Sequence, residues 1–110
     1  MKKFLHRLLR TRRRDKYGFP NRSIIIDVSL RNDYEKAHLS EAINIPLNIF
    51  TEMTRVISKY NKPVVIVSNS NRTSDLAVNY ISKQGIKVFN GGDWTRFKKN
   101  YDHFQGNVQM

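Results

Sequence analysis

The sequence predicts a small α/β sandwich built around a mainly parallel sheet. Two apolar runs, residues 23–28 and 64–67, consist largely of β-branched side chains without polar alternation, which is typical of strands covered on both faces. A stretch with apolar residues at helical spacing separates the two runs. A short polar loop follows the second run and leads into another helix. Strands that alternate with helices in this order indicate a parallel sheet.

The composition sets the size and the broad class of the protein. A chain of 110 residues with 39% hydrophobic content is enough for one compact domain and too short for two. We predict an arm with its linker at residues 1–22, a domain at 23–104 and a tail at 105–110. No apolar run approaches the roughly 20 residues that span a bilayer. We therefore expect an intracellular protein, cytoplasmic or at the inner face of a membrane, unless the arm targets it to an organelle.

The cysteine and histidine content excludes several kinds of site. The sequence has no cysteine, which rules out disulfides, thiolate metal sites and a thiol nucleophile. The three histidines, His6, His38 and His103, are far apart and lack the spacing of metal ligands. We predict neither a metal site nor a cofactor.

The positive charge is concentrated in the arm. Residues 1–22 hold nine lysines and arginines against the single acid Asp15, and so carry most of the formal net charge of +11. Phe4, Leu5, Leu8 and Leu9 form one stripe of a short helix. The predicted polyanion-binding residues are Lys2, Lys3, Arg7, Arg10, Arg12, Arg13 and Arg14. Four interpretations stay open: an anchor on anionic lipid, a grip on RNA phosphates, an organelle presequence, and a solvated tail whose leucines pack on the domain.

The first half of the domain contains two predicted strands and two helical segments. Residues 23–28 form a central strand with Asp27 near its end; this carboxylate is either catalytic or, as we favour, accepts loop amides or an arginine. A polar helical turn covers residues 31–38. Residues 42–47 alternate between apolar and polar side chains and include a proline, which suits a short edge strand. An amphipathic core helix then runs from residue 48 and stops before Pro63.

The second half is organised around the loop after the second buried strand. Thr73 or Ser74 is predicted to cap the helix that follows residues 68–72, with Asp75 near its positive end. That helix ends at a glycine, and residues 86–89 form another strand. A tight turn at residues 90–94 leads into a last helix.

Four ordered motifs resemble the rhodanese family. They are Ile-Ile-Asp-Val at 25–28, the turn at 34–38 with Glu-Ala-Ile-Asn-Ile-Pro-Leu at 41–47, Lys-Pro-Val-Val-Ile-Val at 62–67, and Asn-Gly-Gly-Asp-Trp at 90–94. The resemblance implies a three-layer sandwich with about four to five strands and helices on both faces. It implies structural roles for Asp27, Arg31, His38, Gly91, Gly92 and Trp94.

The active-site loop departs from the family pattern at three points. Rhodaneses and related phosphatases act through a cysteine at the start of this loop, and this chain has none. Counting back from Arg72 places Val67 at the nucleophile position, whereas counting forward from Pro63 places Ser68 there. The loop lacks its usual glycine, and Ser29 stands where an arginine usually follows the Asp-Val pair. A serine without an activating base is a poor nucleophile at neutral pH, so we assign no catalytic residue.

An anion-shaped loop remains as the predicted site. Its backbone amides, the helix dipole behind them and one guanidinium suit a phosphate, a sulfate or an acidic side chain. The predicted anion-binding residues are Ser68, Asn69, Ser70, Asn71, Arg72 and Thr73. The alternative is a vestigial loop in which Arg72 pairs with Asp27 or Asp75.

The sequence therefore predicts a catalytically inactive rhodanese-like domain that serves as a binding or scaffolding module. Its basic arm is expected to bind a polyanion, either RNA, including a ribosome, or an anionic membrane; a protein partner and a small anion in the loop are further expectations. One alternative is an active sulfurtransferase or phosphatase-like enzyme of unusual mechanism. Another is an enzyme fragment whose missing cysteine comes from a partner chain.

Overall fold

The computed structural model describes residues 23–99. The predicted arm and linker at 1–22 and the tail at 105–110 lie outside the described residues, as do residues 100–104. The strands of the described part are β1 Ile24–Asp27, β2 Ile43–Asn44, β3 Val64–Ser68 and β4 Val88–Asp93. The helices are α1 Arg31–Lys36, α2 Leu47–Lys59, α3 Asn71–Ser82 and α4, described at residues 94–99.

The described strands form one parallel sheet in the order β2-β1-β3-β4. β1 and β3 are the central pair, in register from Ile24 opposite Val64 to Asp27 opposite Val67. Because the strands are parallel, their carboxyl ends lie along one edge of the sheet, with the loops that follow β1 and β3 side by side. The predicted mainly parallel sheet is confirmed.

Helices cover both faces of the sheet, as the three-layer prediction required. On one face α2 and α3 contribute to a core cluster that comprises Ile26, Val28, Phe50, Ile57, Val64, Ile66, Ala77 and Ile81. On the other face Tyr34 of α1 and Trp94 and Phe97 of α4 pack against a cluster of Ile25, Leu39, Ala42, Val65 and Val67. The four β-branched residues from Val64 to Val67 are 0% exposed, which explains their unbroken apolar pattern.

Three predicted boundaries were wrong. The edge strand predicted at 42–47 is only the two-residue β2, because α2 already begins after Pro46. The segment predicted as a turn at 90–94 instead extends β4 as far as Asp93, with a register irregularity opposite Ile66 and Val67. Gly91 permits this close approach, since a Cβ there would lie 2.7 Å from Val67 Cγ1. The cap of α3 is Ser70, three to four residues earlier than predicted.

Gly92 joins the end of β4 to the start of α3. Its φ of +70° lies in the left-handed region that glycine adopts without steric cost. A Cβ at this position would also lie 2.6 Å from Asn71 Oδ1, the atom that accepts a hydrogen bond from Asp93 N at 2.8 Å. Both constraints require glycine at position 92.

We predict that Gly92→Ala destabilises the domain more than Gly85→Ala. Gly85 has a φ of +79° but nothing within 4 Å of an added Cβ, so its substitution measures the backbone cost alone, about 1 kcal/mol. In Gly92→Ala the added Cβ also displaces the Asn71 amide group, and loss of its hydrogen bond from Asp93 N costs a further ~0.5–1.5 kcal/mol. Thermal melts of the two variants provide the comparison. Equal melting temperatures would show that the contact with Asn71 places no constraint on Gly92.

Candidate functional site

The loop between β3 and α3 is very short. β3 ends at Ser68, and α3 begins at Asn71 after the N-cap residue Ser70. Ser70 Oγ accepts a hydrogen bond from Thr73 N at 3.2 Å and donates one to Thr73 Oγ1 at 2.8 Å. The side chain thus satisfies one of the free amides at the start of the helix, as serine commonly does. The predicted loop residues Ser68 to Thr73 are brought together at this turn.

Ser68 and Val67, the two candidates for the nucleophile position, lie in different environments. Val67 is fully buried among the apolar residues of the α1/α4 face. Ser68 is also fully buried, but its hydroxyl lies at the loop: Oγ accepts a hydrogen bond from Ser70 N at 3.1 Å and donates one to Asn69 Oδ1 at 3.3 Å. The hydroxyl is therefore used both as a donor and as an acceptor inside the loop.

Most of the loop amides already have internal acceptors. Asn69 N donates to Ser29 Oγ at 2.8 Å, and the amides of Ser70 and Thr73 donate to serine hydroxyls, as described above. Within the described part of the chain, the amides of Asn71 and Arg72 have no such acceptor. An anion would thus find two open amides in this turn rather than a continuous cradle.

Arg72 is exposed on the first turn of α3. Among residues 23–99 it has no ion-pair partner. Asp75 Oδ1 accepts from Asn90 Nδ2 at 2.6 Å, and Asp27 is buried and accepts from the backbone of Ser29. The arrangement in which Arg72 pairs with Asp27 or Asp75 is therefore not present in this structure. The guanidinium is available to solvent or to a ligand.

Asp27 closes β1 as a buried carboxylate. Its Oδ1 accepts a hydrogen bond from Ser29 N at 2.8 Å, while Oδ2 has no partner among the described residues. Asn44 Nδ2 donates to the carbonyl oxygens of Asp27 and Ser29, which ties β2 to the same turn. Burial, and then the nearby charge of Asp27, raise the pKa of Tyr34. In this geometry Asp27 shapes the turn that carries Ser29.

His38 and Arg31 lie on the α1 side of the sheet. The His38 ring stacks on Tyr34 with centroids 3.7 Å apart, and its Nδ1 lies 2.6 Å from the Tyr34 carbonyl oxygen. Arg31 Nε pairs with Glu35 at 3.1 Å on the exposed surface of α1. Neither side chain makes a hydrogen bond with Ser68. No described group is positioned as a general base for its hydroxyl.

Two residues that the sequence did not predict as part of the site hold the loop in place. Ser29 Oγ accepts from Asn69 N, as noted, and Asp33 Oδ2 accepts from Asn69 Nδ2 at 3.1 Å. The only signal for Ser29 in the sequence was its position just after a strand that neighbours β3, since the two loops then lie side by side. These contacts join segments that are 36 to 40 residues apart, and they form only because the strand order places β1 next to β3.

The remaining glycine and tryptophan positions serve the fold around the loop. Gly91 and Gly92 allow β4 to pass close to β3 and to Asn71. Trp94 is half-buried against the α1/α4 cluster. Asp93 ends β4 and directly precedes α4, and its Oδ1 accepts from Thr95 N at 2.9 Å and from Thr95 Oγ1 at 2.6 Å.

Residues 23–99 contain no group of three or more histidine, aspartate and glutamate side chains that could hold a metal ion. None of the helices in this part of the chain is long and apolar enough to cross a bilayer.

The strand order, the two helical layers and the loop at the carboxyl end of β3 define an α/β domain of the rhodanese type. The family described as "Rhodanese-like domain" matches residues 8–100. The chain therefore belongs to the rhodanese-like domain family. Its sequence contains no cysteine, so the active-site cysteine is absent. The match begins within the segment assigned above to the arm.

One curated relative is the "Putative sulfur carrier protein YrkF" of Bacillus subtilis (strain 168). It is 33% identical over 76 residues, which cover 64% of this chain and 40% of that protein. The chain thus spans less than half of the length of this relative.

Solved structures share the fold. A rhodanese-related protein from Thermoplasma volcanium has a TM-score of 0.63 and 18% identity, covering 71% of this chain and 78% of that one. Protein hp1203 of Helicobacter pylori 26695 has a TM-score of 0.61 and 24% identity, covering 78% and 80%. Reduced Bacillus anthracis CoADR-RHD has a TM-score of 0.59 and 22% identity, covering 74% of this chain but only 14% of that one.

We predict that Asp93 stabilises the fold in a pH-dependent way. The hydrogen bond from the Thr95 hydroxyl lowers the pKa of Asp93 below its ordinary 3.8. Partial burial opposes this shift, and hydrogen bonds from the backbone amides of Thr95 and Arg96 add to it. Because the pKa is lower in the folded state, the ionised carboxylate stabilises the fold above pH 3.8. This contribution is lost as the pH falls through the pKa of the folded state. Asp93→Asn should therefore destabilise most near neutral pH, with the difference shrinking below about pH 4.

Urea unfolding of both proteins between pH 7 and pH 2 measures this difference. Thr95→Val, which removes the main hydrogen bond to the carboxylate, should reproduce part of the effect. A difference in midpoint that stays constant across the whole range would contradict this role of Asp93.

Proposed function

We propose that this chain is a catalytically silent rhodanese-like module that binds a partner instead of transferring sulfur. The state of the Ser68 hydroxyl carries the proposal: it is fully buried at the end of β3 and already bonded to Ser70 N and Asn69 Oδ1. A nucleophile must be reachable by its substrate and must lose its proton to a base. Ser68 meets neither requirement in this geometry.

The alternative of an active enzyme finds no support in the loop. A persulfide intermediate needs a thiol, and the chain has none. A serine-based phosphoryl transfer needs a base beside Ser68, whereas His38 directs Nδ1 to the Tyr34 carbonyl. The loop accordingly serves as a structural element.

The small-anion part of the proposal depends on what remains open at this loop. The amides of Asn71 and Arg72 begin the 12-residue helix α3, and the Arg72 guanidinium is exposed beside them. Such groups attract a phosphate or a carboxylate through hydrogen bonds and the helix dipole. We regard this as weak and secondary, because the other amides of the loop are occupied.

The principal partner we propose is a polyanion bound by the basic arm. Its charge of nine cations against one acid within 22 residues supports this assignment. Such a partner is either RNA, including a ribosome, or an anionic bilayer, and both place the protein inside the cell or at the inner face of its membrane. A protein partner is also proposed for the folded domain.

We predict no thiosulfate:cyanide sulfurtransferase activity, either in the natural chain or in Ser68→Cys. The variant supplies a thiol, but in a buried position whose loop amides are held by Ser29 and by its own side chains. Thiocyanate formation above a heat-inactivated control is the measurement. Turnover by the natural chain would refute the silent module, and turnover by the variant alone would show that the loop still works as a cradle.

We predict that removal of residues 1–16 leaves a folded domain and abolishes polyanion binding. All described strands lie after residue 22, and most of the cations of the arm lie before residue 17. The measurement is a salt titration of the binding of the full chain and of the truncated chain to RNA and to anionic vesicles. The control is a chain lacking only residues 1–7, which keeps the Arg12 to Arg14 triplet and the whole family match.

A steep loss of RNA affinity with salt favours phosphate contacts, and vesicle binding that survives moderate salt favours a membrane anchor. The loss of a cooperative melt after removal of residues 1–16 would instead assign the leucines of the arm to the core.

A further inference from the structure

The end of the sheet opposite the Ser68 loop collects lysines from two separate segments of the chain, residues 59–62 and 83–87. α2 and α3 begin near the carboxyl ends of the strands and run back, so both helices finish at the amino ends. There Ile24 N donates to Pro63 O at 2.9 Å and Val64 N donates to Lys87 O at 3.0 Å. The starts of β1, β3 and β4 therefore meet at one place. We name it the amino-end patch, which comprises Lys59, Tyr60, Lys62, Lys83 and Lys87.

The cations of the amino-end patch are not neutralised. Between residues 53 and 92 the sequence contains one acid, Asp75, and Asn90 binds its carboxylate. Within residues 23–99 none of the four patch lysines has an ion-pair partner.

Helix electrostatics explain only part of this charge. Lys59 lies in the last turn of α2 and Lys83 caps α3, where cations complement the negative end of the helix dipole. Lys62 and Lys87 lie in loops outside any helix, so the dipoles give no reason for them. Both line a hollow of about 370 Å³, together with Asn61 and Gln84. Its volume lies within the range of about 300–1,000 Å³ that is usual for small-ligand sites.

Tyr60 adds an exposed aromatic ring to this charged surface. Its side chain is 54% exposed, directly between Lys59 and Lys62 in the chain. The nearest other exposed apolar side chains, Val56 of α2 and Tyr80 of α3, lie back from the ends of their helices. A bilayer would require several such side chains at this end. Cations that follow a phosphate backbone, with an aromatic ring on which a base stacks, are instead typical of single-stranded nucleic acid sites.

The chain enters this patch directly from the arm. Ser23, the first described residue, precedes the Ile24 that bonds to Pro63. The arm thus belongs to the segment of chain that enters the domain at the amino-end patch.

We infer that the amino-end patch binds single-stranded nucleic acid, with Lys62 and Lys87 on phosphates and Tyr60 stacked on a base. The inference rests on the proposed function, a polyanion-binding module, and narrows its partner from a polyanion to an unpaired RNA or DNA strand. It adds a second site, on the folded domain, to the arm.

The test uses the full chain and four sets of variants. Lys62→Gln with Lys87→Gln removes two patch cations, and Lys36→Gln with Lys98→Gln removes two exposed cations from α1 and α4 on the other face of the sheet. Tyr60→Ala is compared with Tyr60→Phe, which keeps a ring. The arm variant replaces Lys2, Lys3, Arg7, Arg10, Arg12, Arg13 and Arg14 with alanine and so removes seven of the nine cations of the arm. The probes are a uridine 16-mer, its DNA counterpart, an RNA duplex and vesicles containing anionic lipid.

The patch double variant is expected to bind the 16-mer about tenfold more weakly and to reduce the salt slope by about 1.4, since each phosphate contact with a single strand contributes about 0.7. The control double variant should retain the affinity of the natural chain. Tyr60→Ala should lower the affinity for the single-stranded 16-mer about tenfold and leave the affinity for the duplex unchanged, while Tyr60→Phe should retain the affinity for both. RNA and DNA strands bound alike indicate backbone recognition, and a preference for RNA indicates contacts with the 2′-hydroxyl.

Equal losses in the patch and control variants would overturn the inference, as would binding to vesicles alone. If the arm variant loses binding and the patch variant does not, the inference fails and the proposed function stands. If only the patch variant loses binding, the inference stands and the role of the arm is refuted. Thermal melts of every variant exclude unfolding as the cause of a loss.

Discussion

The burial of β3 on both faces is the constraint on which the rest of the domain depends. Val64 to Ser68 are all buried, and β1 and β4 flank the strand in the sheet. This forces α2 and α3 onto one face and α1 and α4 onto the other, because each face must be covered. It also sets where the strand stops, so that Ser68 is the last ladder residue and its hydroxyl accepts a hydrogen bond from Ser70 N.

Hydroxyl groups of the chain itself take the place of a ligand at that loop. Ser29, Ser68 and Ser70 accept hydrogen bonds from three successive parts of the turn, and Asp33 holds the Asn69 side chain. A buried amide must find an acceptor, and here the protein supplies it. A turn satisfied in this way is stable without substrate and leaves little for an incoming anion to replace.

The two ends of the sheet are therefore suited to different tasks. The carboxyl end, where α/β proteins usually bind ligands, is closed by its own side chains apart from the first turn of α3. The amino end carries lysines that form no ion pair within residues 23–99 and an exposed tyrosine, and the basic arm joins the domain there. We therefore propose that this chain binds its partner at the amino ends of the strands, where the lysines have no neighbouring acids among the described residues, and not at the loop after β3.

The sequence by itself determined the fold class, the absence of a thiol and the charge of the arm, because these follow from β-branched runs, composition and local counts. Local patterns could not determine the limits of β2 and β4 or the cap of α3, since β-bulges and competing serines depend on neighbouring strands. Only the tertiary structure decided that Val67 is core while the hydroxyl of Ser68, the last residue of β3, lies at the loop. It also decided that Ser29 accepts a hydrogen bond from the Asn69 amide 40 residues away, and that Lys62 and Lys87 line one hollow. Each of these depends on strand order, which brings distant segments together through hydrogen bonds between strands.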